Sequence, residues 1–101
     1  MSTNNDNTKE FKVASRTEPK KLATAITTNL RQNKSVTLVV IGHGAIGQAM
    51  KAIPIVNQEA IAQGKYYAVV PSFQVRNIDV PDGQDKPERT VLVLTLLGQT
   101  V

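Results

Sequence analysis

Residues 36–41, Val-Thr-Leu-Val-Val-Ile, make an almost wholly apolar run that ends at Gly42, and a helical pattern starts near Ala45. A run of this kind suits a central strand covered on both faces. Gly42, Gly44 and Gly47 spell G-x-G-x-x-G across the turn, after a strand and at the start of a helix. Taken literally, that is the dinucleotide-binding signature.

The context excludes that reading. A dinucleotide site needs an acidic residue ~20 positions further on, at the end of the next strand. Here the next strand is Tyr66-Tyr67-Ala68-Val69-Val70-Pro71-Ser72, which ends in proline and serine. A dinucleotide also lies across two βαβαβ halves, more than 101 residues supply. No G-K-[ST] follows the glycines, so there is no phosphate-gripping P-loop. The glycines then read as a tight strand-to-helix turn in which a side chain would clash. The alternative is a ligand or nucleic-acid backbone closely approaching the turn Gly42, His43, Gly44 and Gly47.

The flanking chain supplies the other elements. Met1 to Lys9 is a polar leader with too little apolar surface to fold, so it is expected to be disordered. One domain over residues 10–101 follows. A first strand is expected over Phe11 to Ser15. Pro19 opens a helix at the position where its missing N–H is harmless, capped by Thr17 or Glu18. Leu22, Ala23, Ile26 and Leu30 give that helix a core face, and Gln32-Asn33-Lys34 ends it. In the second helix, Ile46, Met50, Ile53, Val56 and Ala60 form the expected buried stripe. Pro54 falls inside it and predicts a kink or a division. Gly64 is a natural terminator.

Two long strands follow, about Tyr67 to Val80 and Glu88 to Leu97, joined through the Asp82-Gly83 turn signal. The alternation slips from Val75 to Arg76, which predicts a bulge. Pro71 must occupy a position where the ladder needs no donor. Val91 to Leu97 is apolar on both faces, and two helices can cover only one face of a four-stranded sheet. A homodimer covering the rest is the expectation; the alternative is a central strand buried within the monomer.

Composition narrows the function. There is no cysteine, hence no disulfide framework, thiolate nucleophile or cysteine metal site. His43 is the only histidine, and in a turn it is expected simply to face solvent. Asp82, Asp85 and Glu88 are loosely spaced turn residues rather than an acid/base pair. No catalysis, metal or cofactor is therefore expected. With no apolar run of membrane-spanning length and no apolar signal core, a cytoplasmic protein that avoids membranes is the expectation. The net charge of +4 permits an acidic partner.

The cations are more telling. Lys20 and Lys21 fall in the first turn of the first helix, beside Arg16. There they oppose the positive end of the macrodipole, so folding does not ask for them. Cations next to free helix N–H groups make an anion site; the alternative is that all three are merely solvated.

One family unites these features. Phe11-Lys12-Val13-Ala14-Ser15 running into Arg16-Thr17-Glu18-Pro19, then Ile41 to Ile53 with its Gln48-Ala49-Met50-Lys51-Ala52-Ile53 helix, Val70-Pro71-Ser72-Phe73 and Glu88-Arg89-Thr90 occur in one order. That order resembles the stage V sporulation protein S family of bacteria, relatives of the Alba chromatin and RNA-binding proteins. The resemblance spans roughly Glu10 to Leu97. His43 stands where a small residue is usual, and Pro54 where alanine is usual. The resemblance implies an Alba-like two-layer α/β sandwich of order β-α-β-α-β-β, with two helices on one face of a four-stranded mixed sheet. It also implies a dimer that binds DNA or RNA and regulates. The family's loop position falls on Arg16, with Lys20 and Lys21 as neighbours, and its hairpin positions fall on Arg76, Lys86 and Arg89. Asp79, Asp82, Asp85 and Glu88 dilute the hairpin's charge. Two other functions stay open: a dimeric scaffold for protein partners, and a small phosphorylated ligand held at the Gly42–Gly47 turn.

Overall fold

The structure, a computed structural model, describes residues 7–32, 34–77 and 88–100. The elements are β1 (Thr8–Val13), α1 (Pro19–Arg31), β2 (Ser35–Val40), α2 (His43–Ile61), β3 (Lys65–Asn77) and β4 (Glu88–Thr100). The strands lie in the order β1-β2-β4-β3. β1 runs parallel to β2, and the other two pairings are antiparallel. This is the expected α/β sandwich: a mixed four-stranded sheet and two helices.

The core lies between the sheet and the helices. Alternation along β2 sends Val36, Leu38 and Val40 into it, where they meet Val13 of β1, Leu94 and Leu96 of β4, and Leu22, Ala23 and Ile26 of α1. Burying each of the larger side chains contributes about 1.5–3 kcal/mol. The wholly buried residues of α2 are small: Ala45, Ala49 and Ala52. Their missing bulk lets the helix lie close to the strands.

That small-residue stripe displaces the expected one. Ile53 and Val56 are buried as predicted, but Ile46 is 41% and Met50 48% exposed. The three alanines, not the largest apolar residues, define the inward face, and Ile46 and Met50 fall on its flank. The first strand begins earlier than expected, at Thr8 rather than Phe11, and ends at Val13. Its parallel pairing with Ser35–Val40 recruits the polar Thr8 and Lys9 into the ladder. Glu18, not Thr17, is the N-cap of α1, with no side-chain cap bond. The Thr17 hydroxyl instead accepts a 2.9 Å hydrogen bond from the Ala14 N–H and so fixes the preceding loop.

The expected bulge is absent among the described residues, because β3 and β4 pair one for one from Lys65↔Thr100 to Asn77↔Glu88. The slip in alternation has another origin. Phe73 and Val75 are 75% and 62% exposed, so burial does not dictate the pattern there. The Asp82-Gly83 turn lies outside the described residues. β4 is an inner strand, and Val93, Leu94 and Leu96 are buried within the monomer. The apolar Val91–Leu97 segment is thus accounted for largely by its central place, leaving Leu97 45% exposed. β3 is an edge strand, which suits Pro71. Asn57 of α2 supports that edge reciprocally. Its side-chain amide donates to the Tyr67 carbonyl at 3.1 Å, and its side-chain oxygen accepts from the Tyr67 N–H at 2.8 Å.

α2 runs as one helix from His43 to Ile61 through Pro54, so the predicted division does not occur. Pro54 and Met50 share the exposed side of the helix, where water can serve the carbonyl that proline deprives of a donor. The cost of proline remains, at ~3 kcal/mol in a helix interior, part of it already relieved by that exposure. Pro54→Ala should therefore stabilise the fold by about 1–2 kcal/mol, seen as a higher denaturant midpoint at unchanged slope. An unchanged or lower midpoint would refute this account.

Candidate nucleic-acid interface

Parallel pairing of β1 and β2 brings their carboxyl ends together, and α1 and α2 both start from that end. The Ile41 N–H donates to the Val13 carbonyl at 2.9 Å, extending the pairing into the turn. Gly42 then adopts φ 87°, ψ 162° as the N-cap of α2, a region essentially reserved for glycine. A Cβ on Gly44 would sit 2.8 Å from the Ser15 Cβ, whereas one on Gly47 would have nothing within 4 Å. Two of the three glycines thus meet the expectation of a turn that forbids a side chain, one by conformation and one by contact. Gly47 does not: its place in the motif has no steric cause. His43 is exposed, as expected.

The contact of Gly44 with Ser15 places the turn beside the loop that carries Arg16. Arg16, Lys20 and Lys21 are all exposed, and among the described residues only Lys21 of the three has an ion pair, with Glu18 at 3.6 Å. α1 has no side-chain cap and no acidic residue in its first turn. Its leading N–H groups have no intrahelical acceptor and point toward the same region as the cations.

The hairpin reaches the same end by another route. Leu92 pairs with Val40, the last residue of β2. Residues 88–91 of β4, with their partners on β3, therefore project beyond β2 as an arm. Arg76 and Arg89 are directly paired across that arm, and like charges so placed repel. Arg76 reaches over the helix-free face of the sheet to Glu10 of β1, donating at 3.1 and 2.8 Å to its two carboxylate oxygens. Gln74 accepts a further bond from Arg76 at 2.6 Å. Hydrogen bonding to Arg76 holds the Glu10 carboxyl below the usual carboxylate range, outweighing its partial desolvation, and Glu10 in turn raises the Arg76 pKa.

A cavity of about 440 Å³ opens beneath this bridge, lined by Lys12, Val39, Gly42, Arg76, Arg89 and Val91 among others. It brings Arg76 and Arg89 together with the glycine turn. Gly44 meets the Arg16 loop on one side of that turn, and Gly42 meets the cavity on the other. Lys86 lies outside the described residues. Lys12 and Glu10 were not singled out from sequence. The signal was period-two alternation: in β1, Phe11 and Val13 face the core, so Glu10 and Lys12 must face the other way. Among the described residues no group of three or more His, Cys, Asp or Glu is placed to hold a metal. No described helix is long and apolar enough to cross a membrane.

The fold and its basic end define a small α/β sandwich that presents cations around a strand-to-helix glycine turn. The family model for stage V sporulation protein S matches residues 9–98. The chain belongs to that family, and so to a group of proteins related to sporulation. No curated protein matches it.

Proposed function

We propose that this protein is a non-enzymatic regulator that binds the backbone of DNA or RNA with little sequence preference. One observation carries the reading: the described cations singled out from sequence, Arg16, Lys20, Lys21, Arg76 and Arg89, all lie at the end where both helices begin. Phosphates are attracted by such cations and by the free N–H groups of a helix start. The four aromatic residues offer little for base stacking, which fits backbone rather than base recognition. Gel-shift titration with DNA and with RNA at two salt concentrations tests it. Salt-sensitive retention supports the reading, and no retention at low salt returns the scaffold alternative.

Dimerisation belongs to the same proposal, on a different surface from the one expected. Val91–Leu97 is mostly buried in the monomer. The exposed apolar side chains include Ile46 and Met50 of α2 and Phe73 and Val75 of β3. By register, Phe73 and Val75 lie on the helix-bearing side of the sheet, at the level where α2 begins. Sedimentation equilibrium at micromolar concentration should give twice the chain mass, and Met50→Lys with Phe73→Lys should give the monomer. A wild-type monomer at high concentration would end the dimer proposal.

A further inference from the structure

We infer that the cavity under the Arg76–Glu10 bridge is a binding site for one phosphorylated nucleoside, with its phosphate among Lys12, Arg76 and Arg89 and its base on the valines of the sheet. The inference shares Arg76 and Arg89 with the backbone-binding reading but does not need it, because Lys12 and the valine floor lie on the helix-free face and not at the start of α1.

The geometry points to this class in three ways. The first is charge. Among the described residues, three cations line the cavity, and one carboxylate, Glu10, contacts one of them. Arg76 and Arg89 oppose each other across the arm, so an oxyanion between them relieves repulsion while it gains charge-assisted bonds. Phosphate, with more acceptor oxygens than a carboxylate, can serve cations that come from both the arm and β1.

The second is shape. Val39 is 3% exposed and forms the floor, with the half-buried Val91 beside it. Lys12 is the register partner of Val39, so a charged rim stands directly next to an apolar floor. That juxtaposition suits a flat ring carrying an anionic group, since apolar side chains can hold an unstacked base. The third is size. About 440 Å³ is too large for inorganic phosphate alone and falls within the ~300–1,000 Å³ of ordinary small-molecule sites. At the mouth, Gly42 leaves the backbone bare.

Two sources supply this chemistry: a free nucleotide, and an unpaired nucleotide within a strand. Calorimetric titration of the full chain with AMP, adenosine and inorganic phosphate separates the parts. AMP should bind at least tenfold more tightly than either fragment and raise the melting midpoint. Lys12→Ala, an exposed position, should weaken AMP about tenfold. A single-stranded hexanucleotide and its abasic counterpart form the second arm. Should AMP alone bind weakly, the hexanucleotide should lose at least fivefold both on base removal and with Lys12→Ala, which assigns the site to an unpaired nucleotide. The inference is overturned if AMP binds no better than phosphate and neither base removal nor Lys12→Ala affects the hexanucleotide. The triple variant Arg16→Ala, Lys20→Ala, Lys21→Ala keeps the two proposals apart. It should weaken retention of duplex and flatten its salt dependence while leaving AMP binding intact, so either can fail alone.

Discussion

Replacing Arg16, Lys20 and Lys21 together by alanine should flatten the salt dependence of nucleic-acid binding while leaving the fold intact. If the wild-type protein neutralises four to six phosphates, its affinity should fall roughly 10²–10³-fold between ~50 and ~200 mM salt. With three of those contacts gone, the same change of salt should cost only ~3–40-fold. The weakening should be about equal for all sequences, since phosphate contacts carry no base information. Stability should barely change, because all three side chains are exposed and sit where cations oppose the helix dipole. Fluorescence anisotropy across a salt series checks the slope, and thermal melting checks the fold. An unaltered slope would remove the start of α1 from the interface.

The second large effect concerns the glycines, whose substitutions to alanine should differ in sign. Gly42→Ala forces a side chain into φ 87°, ψ 162° and should destabilise by about 1–3 kcal/mol. Gly44→Ala places a methyl group 2.8 Å from the Ser15 Cβ, an overlap of the kind that costs ~1–3 kcal/mol. Gly47→Ala meets nothing within 4 Å in a helical position and should stabilise by ~0.5–1 kcal/mol. For a domain of this size each kcal/mol moves the melting midpoint by ~4–8 °C, so calorimetry resolves all three. Ser15→Gly should rescue Gly44→Ala and do nothing for Gly42→Ala. Equal effects at the three positions would refute this division of roles.

The turn was legible in the sequence because it rests on local rules: an apolar run, glycines, and a helix start at fixed spacing. Pro19 at the head of α1 and Gly64 after α2, with its φ of 80°, belong to the same class. Failures came where partners distant in sequence decide. Ile46 and Met50 have helical spacing with Ile53, yet Ala45, Ala49 and Ala52 win the inward face because closeness to the sheet, not bulk, sets the packing. The basic residues at the start of α1 were readable one by one. The cavity was not, because it arises only when the arm curls Arg76 across to Glu10, 66 positions away in the chain. Lys12 looked unremarkable until that fold-back gave it neighbours.

The outer edge of β3 limits how copies of this protein can join. Along a free edge strand, a second chain adds itself through unpaired N–H and C=O groups. Here the Tyr67 N–H and carbonyl are already taken by Asn57, and four residues on Pro71 has no N–H to offer. Both interruptions fall on the same side of the strand, since residues an even number apart present their backbone groups alike. Fusion of two sheets along β3 into one continuous ribbon is blocked at two rungs. Along this stretch of β3, copies that came together would have to do so through side chains, an association that can be tuned or dissolved by surface substitution without touching the backbone ladder.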